Sequence, residues 1–127
     1  MKTVKVVAAV ILQGDEIFAT HRGYGEFKGS WEFPGGKIEV GETNEQALNR
    51  ELQEEMELAV DIIEHFSDVE YEYPDFIVKM YCYKCNAHTS KFKLNVHKDY
   101  KWLDKKDLLS IDWAPADLPI VKKLLEE

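Results

Sequence analysis

Residues 36–58 read Gly36-Lys37-Ile38-Glu39-Val40-Gly41-Glu42-Thr43-Asn44-Glu45-Gln46-Ala47-Leu48-Asn49-Arg50-Glu51-Leu52-Gln53-Glu54-Glu55-Met56-Glu57-Leu58. Thr43 and Gln46 have the spacing of a reciprocal helix N-terminal cap, and Ala47, Leu48, Leu52 and Met56 recur at helical intervals behind it. The spacing predicts a helix from Asn44 to Met56. On that helix Glu51, Glu54 and Glu55 stand at i, i+3 and i+4, so three carboxylates share one face beside an apolar stripe. Like charges so close repel and need a cation. Arg50 and Lys37 are candidates within the chain, and hard oxygen donors without sulfur or imidazole favour magnesium, with manganese as the alternative, over zinc. The competing interpretation is a solvated acidic helix face. The preceding Glu32-Phe33-Pro34-Gly35-Gly36-Lys37 weighs against it, because paired glycines let backbone approach a ligand and leave a carbonyl free to join a metal. By itself Gly35-Gly36 would be an ordinary turn.

Outward from this segment, the chain alternates extended and helical patterns. Val4 to Leu12 and Glu16 to His21 are expected to pair across Gly14-Asp15. Val60 to Tyr73 and Phe76 to Cys85 form long extended segments joined at Pro74-Asp75, and Tyr100 to Leu103 is a further short strand. A last helix is expected to begin at Asp117 to Pro119 and to pack through Ile120, Val121, Leu124 and Leu125. The order describes an α+β domain with a mixed sheet covered on both faces.

With 127 residues and 45% hydrophobic content, residues 1–127 are expected to form a single domain without linker or repeat. The formal charge of −8 argues against coating a nucleic-acid polymer, which requires clustered Lys and Arg, but not against small nucleotides carried with magnesium. The apolar run Val6 to Leu12 is too short to span a bilayer and lacks a signal-peptide cleavage site, so no membrane association and a cytoplasmic location are expected. Cys82, Cys85 and His88 have zinc-like spacing. On a strand, however, residues three apart point to opposite faces, and ordinary reduced cysteines are expected.

The stretch from Gly36 to Leu58 resembles the Nudix box: glycine, five residues, Glu42, seven residues, Arg50-Glu51, an aliphatic, any residue, Glu54-Glu55, any residue, glycine, an aliphatic. One fixed position departs. Glu57 stands where the family has its second glycine, at a cost of about 1 kcal/mol if the left-handed cap is kept. The resemblance extends to MutT-type members through residues 31–39, 71–75 and 114–121. It implies the Nudix αβα sandwich, with a mixed β-sheet between helices. It also implies hydrolysis of nucleoside triphosphates to nucleoside monophosphate and pyrophosphate by water attack at the β-phosphorus. A monomer or homodimer is expected.

By the same resemblance, the Gly36 carbonyl, Glu51, Glu54 and Glu55 are metal ligands, and Arg50 orients the carboxylates. Glu51 or Glu54 is the candidate base, and Lys37 and Arg22 face phosphate. Arg50 as a surface ion pair worth under about 1 kcal/mol, and Lys37 as a solvated loop residue, are the plainer alternatives. Many members carry Glu-His before a Trp in the penultimate strand; here Val96-His97 precedes Trp102, so that auxiliary carboxylate is missing, and Asp99 cannot be assumed to replace it. Phe33 resembles the residue that stacks on the base, with core packing as the alternative. Asp117 aligns where MutT proteins use Asn to read oxidised guanine and where relatives acting on cytidine nucleotides use Asp. An ionised carboxylate accepts from cytosine N4 and must be protonated to donate to guanine O6; a helix N-cap is its alternative role. Nucleotide-pool cleansing of 8-oxo-dGTP or a modified (d)CTP is the expected function. Hydrolysis of ADP-ribose or dinucleoside polyphosphates is a second enzymatic alternative, on which Pro74 decides little. A non-catalytic nucleotide-sensing module is the alternative of another class, and the three intact carboxylates argue against it.

Overall fold

Alternation along one strand divides the interior into two layers. In β1, Lys2–Gln13, the side chains of Val7, Ala9 and Ile11 enter one buried cluster, and those of Ala8 and Val10 enter the other. The structure, a computed structural model, describes residues 1–23, 29–88 and 92–127. Helix α1, Asn44–Met56, covers the first face with Ala47, Leu48, Leu52 and Met56, and helix α2, Leu118–Leu125, covers the second with Ile120, Val121 and Leu124. Two faces buried under two helices make the sandwich.

The remaining strands are β2 (Glu16–His21), β3 (Trp31–Glu32), β4 (Gly35–Lys37), β5 (Val60–Glu72), β6 (Phe76–Ala87) and β7 (Asp99–Asp104). Among the described residues they form one sheet in the order β3-β2-β1-β6-β5, with β4 on β1 and β7 on β2. The sheet is mixed because β1 and β6 run parallel, from Lys2 beside Phe76 to Leu12 beside Asn86, while the other pairs are antiparallel.

The expected hairpin of β1 and β2 is paired only at Leu12–Ile17 and Gln13–Glu16. Beyond those pairs β2 diverges, and β4 takes the edge of β1 at Val6, Val7 and Ala8. The Gly35-Gly36 pair is therefore strand, and its glycines serve the protein's own packing. A Cβ on Gly35 would lie 1.9 Å from the Val7 carbonyl oxygen, and one on Gly36 would lie 2.3 Å from Glu51 Cδ. Sequence spacing did not anticipate β3, β4 or the 3-10 turn Lys105–Ser110.

Cys82 is buried in the α2 layer and Cys85 in the α1 layer, so the pair cannot share a metal, and burial pushes both thiols up. His88 is exposed beside Asp61, 2.8 Å away.

The start of α1 is a complete capping box: the Gln46 N–H donates to Thr43 Oγ1 at 3.1 Å, and the Thr43 N–H donates to Gln46 Oε1 at 2.9 Å. Its end keeps the left-handed geometry without glycine. Glu57 has φ 52° and ψ 39°, and its N–H donates to the Gln53 carbonyl at 2.9 Å. A side chain in that region costs on the order of 1 kcal/mol. Among the described residues it is offset by a loose pair with Lys93 at 3.9 Å, worth little on an exposed surface. Glu57→Gly is therefore expected to raise unfolding stability by about 1 kcal/mol, read as a higher denaturant midpoint at unchanged slope. A lower midpoint would show that the Glu57 side chain supports the helix end.

Candidate active site

A cleft of about 1010 Å³ opens where β4 and α1 meet the edge of the sheet. One end is bordered by Gly36, Lys37, Arg50 and the three glutamates of α1, the other by Phe33, Tyr73, Phe76, Met80, Ala116 and Asp117, with Arg22 and Glu32 also on its wall. One end is charged and the other largely apolar.

Arg50 organises the charged end. Its Nε and Nη2 donate to the two oxygens of Glu42 at 2.8 and 3.0 Å, a bidentate pair. Nη2 also donates to the Lys37 carbonyl at 2.9 Å, while Nη1 reaches Glu51 at 3.0 Å and Glu54 at 3.3 Å. One guanidinium thus fastens the loop before α1 to the acidic face of α1. The Arg50 hydrogen bond holds the Glu42 carboxyl below the usual carboxylate range, and the same bond strengthens the arginine's hold on its proton. Lys37 itself is exposed at the rim.

The three carboxylates all border the cleft but take different surroundings. Among the described residues no group of three or more His, Cys, Asp or Glu side chains is arranged to hold a metal ion. Glu54 leans into solvent against Arg50, with 59% of its side chain exposed. Glu51 is half-buried under Gly36, and desolvation raises its pKa against the pull of Arg50. Glu55 turns inward. Desolvation first, and then the charges of Glu51 and Glu32, push its carboxyl up to about 8. Arg50 Nη1 holds Glu51 and Glu54 together, whereas Glu55 stands apart because it is buried toward His97.

The donor set nevertheless fits a hard cation. The acidic side chains supply oxygen without thiolate, Gly36 has no side chain to block the approach of Glu51, and Glu55 Oε1 is buried with no hydrogen-bond partner among the described residues. A cation would satisfy that orphaned oxygen. It would also favour the ionised form of a carboxyl that burial keeps protonated near neutrality.

At the other end, Phe33 is buried and stacked on Trp113, with centroids 4.6 Å apart and planes 27° apart, while it also borders the cleft. Core packing and a wall of the cleft are thus both realised in one ring. Asp117 occupies the N-cap position of α2 but makes no capping bond. Its side chain instead accepts the Phe33 N–H through Oδ1 at 3.1 Å, because the turn 115–117 points it into the cleft wall rather than along the helix. Desolvation, partly offset by that bond, pushes its carboxyl up to about 8.

Three residues of this region had no role assigned from sequence. Glu32 Oε1 accepts from Arg22 Nη1 at 3.1 Å, and Glu32 Oε2 accepts from His97 Nε2 at 3.0 Å. Tyr73 lines the apolar end, and its hydroxyl accepts the Ala116 N–H at 3.2 Å. Strand periodicity could assign these side chains to a face but could not reveal which turn each would meet. Val96 is exposed, and Asp99 is not among the residues that border the cleft; its carboxylate accepts its neighbour's N–H at Tyr100.

The NUDIX domain family matches residues 2–124. The chain is 33% identical over 126 residues to the 8-oxo-dGTP diphosphatase of Escherichia coli (strain K12), with 98% of each chain covered. It is 29% identical over 126 residues to the CTP pyrophosphohydrolase of the same organism, covering 98% of this chain and 95% of that one. Among solved structures, the DNA mismatch repair protein MutT (family Nudix hydrolase) of methicillin-resistant Staphylococcus aureus 252 superposes with a TM-score of 0.78. That pair is 37% identical and covers 99% of this chain and 98% of the other. Nudix hydrolases generally use divalent metal ions, as the oxygen-rich end of the cleft leads one to expect. The match along nearly the whole chain and the acidic cleft agree: this chain belongs to the Nudix family, hydrolases that act on phosphoric anhydrides.

Proposed function

We propose that the chain is a magnesium-dependent nucleoside triphosphate pyrophosphohydrolase, with manganese as a substitute ion. It converts a nucleoside triphosphate and water to nucleoside monophosphate and pyrophosphate, and it acts on 8-oxo-dGTP to cleanse the nucleotide pool. The observation that carries this proposal is the polarity of the cleft, which has oxygen donors and cations at one end and an aromatic wall with a buried Asp117 at the other. A triphosphate and a base need those two environments side by side.

The carboxylates of Glu51, Glu54 and Glu55, with the Gly36 carbonyl, would hold the cation. A divalent ion supplies charge neutralisation for the phosphates and acidifies the attacking water. Arg50 orients Glu51 through the 3.0 Å bond and keeps Glu54 within reach. Glu51 or Glu54 accepts the proton of the water, and the raised pKa of Glu51 suits it to that task. Arg22 and Lys37, both on the cleft wall, draw the phosphates in. Phe33 faces the base.

Asp117 favours guanine. With its carboxyl raised to about 8, it is mostly protonated at neutral pH. Oδ1 is committed to the Phe33 N–H, so Oδ2 is the atom that would meet a base, as a donor to a carbonyl such as O6. The likeness to a CTP pyrophosphohydrolase supports a modified (d)CTP as the second candidate, because the ionised form of the same side chain accepts from an exocyclic amine.

Glu51→Gln removes a ligand and a candidate base while keeping the shape of the side chain. Its kcat for 8-oxo-dGTP is expected to fall by about 100-fold or more in a protein of unchanged near-ultraviolet dichroism. Turnover close to that of the unsubstituted chain would remove Glu51 from the chemistry. For Asp117, a raised pKa means that the donor form prevails below about 8 and is lost above it. The ratio of kcat/KM for 8-oxo-dGTP over dCTP is expected to fall as pH rises through that value. In Asp117→Asn, a permanent donor, the ratio should stay high and flat. An Asn variant with the same pH dependence would show that Asp117 does not read the base.

A further inference from the structure

One fully buried side chain at the charged end has no part in the chemistry above. His97 has a side chain with 0% exposure, and its Nε2 lies between two carboxylates, 3.0 Å from Glu32 Oε2 and 3.8 Å from Glu55 Oε2. A carboxylate oxygen accepts, so Nε2 carries the hydrogen toward Glu32. On the far side of the ring Nδ1 has no hydrogen-bond partner among the described residues, and neither has Glu55 Oε1. Unpaired buried polar atoms are costly, and one on each of two neighbouring side chains marks a place not built for stability alone.

The backbone around His97 is fastened on both sides. Before it, the Lys93 N–H donates to the Met56 carbonyl at 2.9 Å, the Asn95 N–H to the Glu55 carbonyl at 2.8 Å and Asn95 Nδ2 to the Glu54 carbonyl at 2.9 Å, all at the open end of α1. After it, the Lys98 N–H donates to the His21 carbonyl at 2.9 Å, one residue before Arg22. The segment therefore joins the helix that carries the glutamates to the strand that leads to Arg22. A rigid imidazole is wedged between them. Glu32 completes the chain by accepting His97 through one oxygen and Arg22 through the other.

We infer that His97 is a positioning residue, which anchors Glu32 against Arg22 and separates Glu32 from Glu55, so that the Glu55 carboxylate stays placed for a divalent cation. It rests on the metal role given above to Glu55. Outer partners of this kind set metal affinity by about 10–100-fold in other sites. The test is binding of Mn²⁺ alone, followed by electron paramagnetic resonance of the free ion, in the unsubstituted chain and in three variants. His97→Leu removes the donor, and His97→Asn keeps polarity but is too short to reach Glu32. Both are expected to weaken Mn²⁺ binding by about 10-fold or more. His97→Gln, whose amide nitrogen can reach the Nε2 position, is expected to restore most of that affinity. Unchanged Mn²⁺ affinity in Leu and Asn, or a Gln variant as weak as Leu, overturns the inference and leaves the metal role standing. An unsubstituted chain that binds no Mn²⁺ overturns both.

Discussion

Arg50 sits among four carboxylates in a chain of net charge −8, and the geometry of the charged end follows from how its five donors are shared. Left alone, Glu51, Glu54 and Glu55 would strain the end of α1 by mutual repulsion. The bidentate grip on Glu42 and the bond to the Lys37 carbonyl place a fixed positive charge beside two of the three. Exposed pairs contribute little by themselves, and the contact with Glu54 is of that kind. The contacts with Glu42 and Glu51 are more sheltered, and there a planar fork adds direction as well as charge. Gly36 makes this arrangement sterically possible, since any side chain at that position would occupy the volume of the Glu51 carboxylate.

The sheet supplies the rest of the placement. Because β2 leaves β1 after two pairs, β4 can dock on the freed edge and carry Gly36 over the start of the acidic face. Phe33, two residues before β4, is tied by its N–H to Asp117 from the other end of the chain. The Asp117–Phe33 bond holds the turn before α2 against the strand that leads to the charged end, so both ends of the cleft are referenced to one short stretch of backbone.

The features legible in the sequence are those whose causes are local. The cap of α1, its length from Asn44 to Met56 and its buried stripe depend on spacings within one helix and appear where expected. The opposite faces of Cys82 and Cys85 follow from strand alternation in the same way. Strands of two or three residues have no alternation to recognise, and β3 and β4 exist only because partners hold them. Alternation also says which face a residue takes but not which way a strand runs, so the parallel pairing of β1 with β6 could not be seen. Glu54 and Glu55 are sequence neighbours with opposite fates, one in solvent and one buried, because burial depends on what packs over the helix. The departure at Val96 was visible; the significance of the adjacent His97 was not, since it depends on contacts with Glu32 and Glu55 from distant parts of the chain.

The reaction is defined by the bond that is cleaved. The direct measurement is phosphorus nuclear magnetic resonance of the products formed from 8-oxo-dGTP with magnesium. Cleavage between the α- and β-phosphorus gives nucleoside monophosphate and pyrophosphate as the only phosphorus products, in equal amounts from the first time points. Nucleoside diphosphate with orthophosphate, or no product that depends on a divalent ion, would contradict it.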